Sequence, residues 1–362
     1  MAAVDAHGGW AALLGTVSDG RPLSQAEAEA ALAAILSGEA TDAQIAGLII
    51  ALRMKGETVE EMTGLALAML GASEPLHLPP ATVDIVGTGG SSHRRAHALN
   101  ISTMASIVAA AAGAVVCKHG NRRASSTSGS SDFLEALGIS LDLPVADLEN
   151  SVAKIGLGFA FARTYHPAMR HVGPVRAELG VPTVFNILGP LAHPGRVRRQ
   201  VVGVASTELA ATMAQVLQNL GSEHAWVVTG EGGIDELTTT GTTTVLEVRP
   251  DGIEPLEVSP EAVGLAVAGS LDELTGGSPA ENVAIFRAIL DGSERGPRRD
   301  IVVLNAAAGL VVGGQSDDLG GAVELVSAAV DDGRAAAKLA DLISMAGTKP
   351  ASAPLPASAH TR

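Results

Sequence analysis

Three groups of polar residues have the chemistry to handle a phosphorylated substrate. The first is the turn Gly87, Thr88, Gly89, Gly90, followed by Asn100, Ser102 and Thr103. The second is Lys118, His119, Gly120 and Asn121, followed by Ser125 and Ser126. The third is the adjacent pair Asp235 and Glu236, in a loop loosened by Gly230, Gly232 and Gly233. Glycine lets a backbone come close to a ligand, and successive N–H groups with nearby hydroxyls make a cradle for oxyanions. Lys118 adds a cation. Mg²⁺ takes one or two carboxylates together with phosphate oxygens and water, so the acidic pair suits one or two magnesium ions against a pyrophosphate. Each group alone has a plainer reading as a glycine turn, a polar loop or an exposed acidic turn. Their joint occurrence is what points to a metal-bound diphosphate.

Such groups need elements that bring them together. The apolar runs 83–86 and 114–117 each stop at one of the polar clusters, as parallel strands do where their carboxyl ends open onto ligand-binding loops. From residue 82 onward, short β-branched runs alternate with longer helical ones, the signature of a parallel sheet with crossover helices. The spacing predicts strands at 83–86, 115–118, 200–204, 225–229 and 243–248, and helices at 102–112, 131–137, 207–220 and 302–310. Upstream, Ser24 with Glu27, Thr41 with Gln44 and Thr58 with Glu61 fit the reciprocal capping box. Leu32, Ile35, Leu36 and Ile45, Leu48, Ile49, Leu52 follow at helical spacing, so residues 24–71 form a small helical bundle. Residues 1–20 show no clear period, and Pro75, Pro79 and Pro80 mark a stiff connector. Prolines and glycines through 165–194 fit a sheet poorly; this stretch is expected to return to the helical part and line a cleft. The Pro-, Ala- and Ser-rich tail 347–362 is expected to be disordered.

Composition narrows the class. At 362 residues the chain has room for two domains and an ample core. Aromatic residues are only 2%, so Ala, Val and Leu must fill the interior. A net charge of −15, spread along the chain, argues against nucleic acid, which selects basic surfaces and stacking platforms. The single cysteine, Cys117, ends an apolar run and reads as a core residue. The longest apolar stretch, 107–117, is too short to span a bilayer, and the N-terminus lacks a signal pattern, so a cytoplasmic protein without membrane partners is expected.

Taken together, residues 87–90, 100–103, 118–122, Ser125, Ser126, Ser128, Gly129, Arg176, 186–190, Asp235, Glu236 and Asn305 resemble the anthranilate phosphoribosyltransferase family. The resemblance implies an α/β fold in which a small N-terminal helical domain is hinged to a larger α/β domain with a mostly parallel sheet, like that of nucleoside phosphorylases and phosphoribosyltransferases. The domains would be 1–80, joined by part of 166–194, and 81–346, and the assembly a homodimer through the helical domain. It also implies Mg-dependent transfer of 5-phosphoribosyl from phosphoribosyl pyrophosphate to anthranilate, in tryptophan biosynthesis. On that likeness Gly87, Thr88, Gly89, Gly90, Asn100, Ser102, Thr103, Lys118, Asn121, Ser125 and Ser126 hold phosphoribosyl pyrophosphate. Gly87, His119, Asn121, Met169, Arg176 and Pro190 surround anthranilate, with Arg176 on its carboxylate. Ser102, Asp235 and Glu236 hold two Mg²⁺ ions. An aromatic amine is already neutral near pH 7, so no residue is assigned as a general base.

The sequence departs from the family pattern after the glycine turn, where Ser91 replaces an aspartate and the connector to Leu99 is longer, with His93, Arg94, Arg95 and His97. Either Arg94 or Arg95 makes a direct phosphate contact, or the insertion is a tolerated surface feature. Ser278 likewise stands where an aspartate is usual. Two rival readings share the pattern. One is a paralogue that uses another aromatic acid, or a pyrimidine nucleoside phosphorylase, which uridine with phosphate would reveal. The other is a non-catalytic nucleic-acid-binding homologue, which predicts a basic groove.

Overall fold

The three reciprocal capping boxes open three helices, Gln25–Leu36, Asp42–Lys55 and Val59–Gly71, in a computed structural model that describes residues 3–89, 91, 99–121 and 128–346. The expectations for Gly90, Arg94, Arg95, Ser125, Ser126 and the 347–362 tail lie outside the described residues. Each cap works in both directions: Glu27 accepts the Ser24 N–H at 2.8 Å while the Ser24 hydroxyl accepts the Glu27 N–H. The first and third of these helices approach closely because residue 64 is glycine; a Cβ there would lie 2.2 Å from the Gln25 carbonyl oxygen. Another helix, Gly9–Ser18, precedes them. Its buried residues are Leu13 and Val17 alone, one turn's worth, which is why no apolar period shows in the sequence.

The larger part is a seven-stranded sheet of β1 (Val83–Gly87), β2 (Val116–Gly120), β3 (Leu157–Phe161), β4 (Arg199–Gly203), β5 (His224–Gly230), β6 (Thr243–Arg249) and β7 (Gly252–Val258), in the order β3-β2-β1-β4-β5-β6-β7. The first five strands run parallel, and β6 and β7 add an antiparallel hairpin at one edge. Pro255 sits in the outermost strand, where a missing N–H costs no ladder bond. The chain runs from β1 to β2 and β3 on one side, then returns to β4 on the other side of β1. The carboxyl ends of β1 and β4, in register at Gly87 and Gly203, therefore flank the switch-point crevice where open α/β sheets bind ligands.

Helix Ile101–Ala111 links β1 to β2, and Thr207–Asn219 links β4 to β5. The helix Pro297–Gly313 is buried along its whole run from Ile301 to Gly313 and packs on Ile101–Ala111. A Cβ on Gly309 would meet Ile85 at 2.6 Å and the Ala109 Cβ at 3.6 Å, so small residues give this part of the core its density. The apolar cluster of the helical bundle continues through Val172, Val175, Val184, Leu188 and Leu191 to the sheet at Val202 and Val227 and to Met213 of helix Thr207–Asn219. Arg53 of the bundle also donates to the Pro182 carbonyl at 2.6 Å. The proline-rich stretch thus packs with the bundle and forms one wall of the crevice.

Candidate active site

The site is built on glycines at strand ends. A Cβ on Gly203 would lie 1.7 Å from the Asp235 carbonyl oxygen, one on Gly87 would lie 3.0 Å from Asp235 Oδ2, and one on Gly230 would lie 2.8 Å from the Glu236 carbonyl oxygen. Three bare strand ends therefore form a trough in which the Asp235–Glu236 turn can lie against the sheet. Asp235 Oδ2 accepts the Gly89 N–H at 2.6 Å, with Gly89 in the left-handed region at φ 71. Glu236 Oε1 accepts the Ser102 N–H at 3.3 Å, at the positive end of helix Ile101–Ala111. From behind, Asn305 holds both the N–H and the C=O of Leu237, at 3.0 and 2.8 Å.

Across the crevice, Lys118 and His119 extend from β2. Lys118 Nζ donates to the Ile85 carbonyl at 2.7 Å, and the His119 N–H donates to Asp84 Oδ1 at 3.1 Å. The base of the following loop is closed by the Ser130 hydroxyl donating to the Asn121 carbonyl at 3.2 Å. One cavity of about 330 Å³ is lined by Gly87, Thr88, Gly89, Asn100, Ser102, Thr103, Lys118, His119, Asn121, Arg176, Pro190, Asp235 and Glu236. The glycine turn, the lysine–asparagine loop and the acidic pair therefore share a single space. Thr88 Oγ1 and Ser91 Oγ are buried at its edge without a hydrogen-bond partner among the described residues, as donors reserved for a bound molecule would be.

Comparison with known proteins agrees over nearly the whole chain. Residues 11–73 match the glycosyl transferase family, helical bundle domain, and residues 79–336 match the glycosyl transferase family, a/b domain. The anthranilate phosphoribosyltransferase of Parvibaculum lavamentivorans is 47% identical over 337 residues, covering 93% of this chain and 97% of the relative. The chain belongs to the anthranilate phosphoribosyltransferase family. The crystal structure of the Thermus thermophilus enzyme superposes with a TM-score of 0.86 at 43% identity, covering 92% of this chain and 98% of that one. The Saccharomyces cerevisiae enzyme in complex with PRPP (phosphoribosyl pyrophosphate) and Mg gives 0.83 at 28% identity, covering 93% and 98%. The same yeast enzyme is also known in complex with 4-fluoroanthranilate.

Some of this anthranilate phosphoribosyltransferase site was not evident from residue types. Phe185 lines the cavity and lies under the Arg176 guanidinium, 5.3 Å from ring centroid to Cζ, a cation–π contact. Its signal was its place one residue before the 186–190 run. Met169, expected beside the anthranilate ring, is not among the cavity-lining residues; it is half-buried against the helical-bundle cluster. The 3₁₀ turn Pro167–His171 points it that way.

The electrostatics of the β2 side are unusual. Asp84 is fully buried, and burial pushes its carboxyl up to about 7 despite the pull of Lys118 and the His119 N–H. Burial also lowers Lys118, opposed by the Asp84 charge. His119 sits 5.2 Å from the His166 ring and 5.6 Å from that of His193. Burial first, and then mutual repulsion, holds His119 well below its ordinary value; burial brings His166 and His193 down to about 4. All three are neutral at pH 7. His193 accepts the Gly195 N–H at Nδ1 and donates from Nε2 to the Cys117 carbonyl at 2.9 Å, bracing the strand that carries Lys118. Among the described residues no group of three or more His, Cys, Asp or Glu could hold a metal by itself. Two carboxylates beside a phosphate cradle are what Mg²⁺ needs, since it keeps water and substrate oxygens in its shell.

Proposed function

We propose that this cavity transfers the 5-phosphoribosyl group of phosphoribosyl pyrophosphate to the amine of anthranilate, giving N-(5-phosphoribosyl)anthranilate and pyrophosphate, as in tryptophan biosynthesis. The observation that carries it is the convergence of Gly89, Asn121 and Asp235 on one cavity at the switch point of the sheet. Thr88, Gly89, Asn100, Ser102 and Thr103 hold the diphosphate, with Lys118 as the fixed cation. Asp235, Glu236 and Ser102 are the residues that would hold magnesium, two ions in this reading. Bound Mg²⁺ supplies positive charge against the leaving pyrophosphate. Arg176, in cation–π contact with Phe185, pairs with the anthranilate carboxylate, and His119 and Pro190 flank its ring.

In the reaction the C1–O bond breaks, its electron pair leaves with pyrophosphate, and the C1–N bond forms as the amine gives up a proton to water. Charge builds on the leaving group and on a cationic ribose carbon, so catalysis is positioning plus electrostatics. A cation about 4 Å from an anion at an effective dielectric near 20 contributes roughly 4 kcal/mol. The depressed basicity of His119, His166 and His193 supports a mechanism without a histidine base. Those rings serve as packing and ring-stacking surfaces.

A homodimer through the helical domain, a division into 1–80 with part of 166–194 and 81–346, and a cytoplasmic location belong to the same reading. No helix among the described residues is long and apolar enough to cross a membrane. The test is the change in anthranilate fluorescence on adding phosphoribosyl pyrophosphate, with Mg²⁺ and with EDTA, beside uridine with phosphate. Turnover only in the first mixture, abolished by EDTA, is expected; uridine phosphorolysis would overturn the assignment.

A further inference from the structure

Asn282 is wholly buried at the start of helix Pro279–Asp291 and does not line the cavity. It is nonetheless tied to the cavity by an unbroken chain of hydrogen bonds. Its Oδ1 accepts the Gly277 N–H at 2.8 Å, and its Nδ2 donates to Asn100 Oδ1, also at 2.8 Å. Asn100 Oδ1 takes a second donor, the Ser128 hydroxyl at 2.9 Å, and Asn100 Nδ2 donates to the Ser128 carbonyl at 3.1 Å. Amide side chains have two orientations of the same shape, and only their partners distinguish them. Here the two ends of the chain are backbone groups of fixed polarity. The Ser128 carbonyl can only accept, which makes its partner the Asn100 nitrogen. The Gly277 N–H can only donate, which makes its partner the Asn282 oxygen. Everything between follows.

Asn100 lines the cavity, and its Nδ2 has one N–H engaged with Ser128. The other has no partner among the described residues and is left for what the cavity binds. Were the amide reversed, an oxygen would replace that donor, and an acceptor would meet the acceptor oxygens of a diphosphate. We infer that Asn282 is a positioning residue for phosphoribosyl pyrophosphate: it holds the Asn100 amide with nitrogen toward the cavity, so that helix Pro279–Asp291 controls diphosphate affinity from behind. The inference rests on the substrate assignment made above. It also gives the Gly277 turn, remote in sequence, a function in binding.

The decisive variant is Asn282→Asp, which keeps size and shape but replaces the donor with an acceptor facing Asn100 Oδ1. The full-length protein with Mg²⁺ should show a KM for phosphoribosyl pyrophosphate raised about 10- to 100-fold, the loss expected for a hydrogen bond to a charged group. Its KM for anthranilate should stay within about twofold. Asn282→Ser, which keeps a smaller donor, should give an intermediate rise and serves as the test if the Asn282→Asp chain fails to fold. The double variant with Asn100→Ala should be no worse than Asn100→Ala alone, because the effect travels through that amide. A phosphoribosyl pyrophosphate KM within twofold of wild type in both single variants would overturn the inference. So would equal rises in both KM values, or additivity with Asn100→Ala, since those are signatures of general loosening. Wild-type protein that does not turn over phosphoribosyl pyrophosphate would instead sink the substrate assignment.

Discussion

The helical bundle and the crevice both bury polar side chains, and they treat them in opposite ways. Glu61 of the bundle is fully buried and fully matched: it accepts the Leu23 N–H at 2.9 Å, the Thr58 N–H at 2.8 Å and the Lys55 ammonium at 2.7 Å. In the crevice Thr88 Oγ1, Ser91 Oγ and His119 Nε2 are buried with no hydrogen-bond partner among the described residues. An unmatched buried polar group destabilises the fold, so such a collection persists where a ligand completes it. The bundle's polar groups fold the chain; on the function proposed above, those of the crevice serve binding. Changes in the two places should accordingly move different quantities.

The largest effect is expected in the crevice. Replacing both carboxylates, Asp235→Asn with Glu236→Gln, should lower kcat/KM by at least about 100-fold, comparable to removing preorganised charge stabilisation elsewhere. The melting temperature should hardly fall, and a collapse of stability instead would erase the contrast. In the bundle, Glu61→Gln leaves the Lys55 ammonium buried without its counter-charge and should cost about 3 kcal/mol of stability. Denaturant unfolding measures that loss, while kcat/KM per folded molecule stays near wild type. A smaller, more selective change is Arg176→Lys, which keeps the charge but loses the planar guanidinium fork beside Phe185. It should raise the KM for anthranilate about tenfold and leave that for phosphoribosyl pyrophosphate unchanged.

The pH dependence of stability sharpens the comparison further. His166 and His193, depressed to about 4 in the fold, contribute stability above pH 6.5 that is lost as pH falls toward 4. Asp84, raised to about 7, acts the other way: its contribution is present below its ordinary value of 3.8 and is lost as pH rises through 7. Four depressed histidines, His119, His166, His193 and His224, against two raised carboxylates, Asp84 and Asp300, decide the sign, so the melting temperature should drop on acidification from pH 6.5 to 4. Asp84→Asn should make that drop steeper, by a few degrees at most. A shallower drop would mean the carboxylate is ionised in the fold. Least of all, Met169→Ala should leave the anthranilate KM within about twofold, as befits a side chain outside the cavity lining.

Much of this was readable from the chain because some signals are local and chemically specific. Ser24 with Glu27 can do little else at a helix start, and a lysine–asparagine loop after an apolar run leaves few alternatives. β3 was harder to see, since Leu157–Phe161 follows directly on helix Val145–Ile155 and contains Gly158. That glycine is there because a Cβ would strike Leu148 and Val152 at 2.6 Å, a fact about the helix packed behind the strand. The trough under Asp235 was equally hidden: Gly203 and Gly230 become meaningful only once the strand order places them side by side. Asn282 reaches a partner 182 residues away, beyond the range of any motif.

The crevice between β1 and β4 joins two stretches of polypeptide that meet only after folding. Thr88 and Lys118 come from one stretch and Asp235 from another, and the Gly89–Asp235 bond is the stitch across the join. A cut between Lys118 and Asp235 leaves neither piece with the whole lining, so halves divided there and expressed separately would be inert until they reassembled. Recovery of turnover on mixing them would then serve as a gauge of correct sheet assembly.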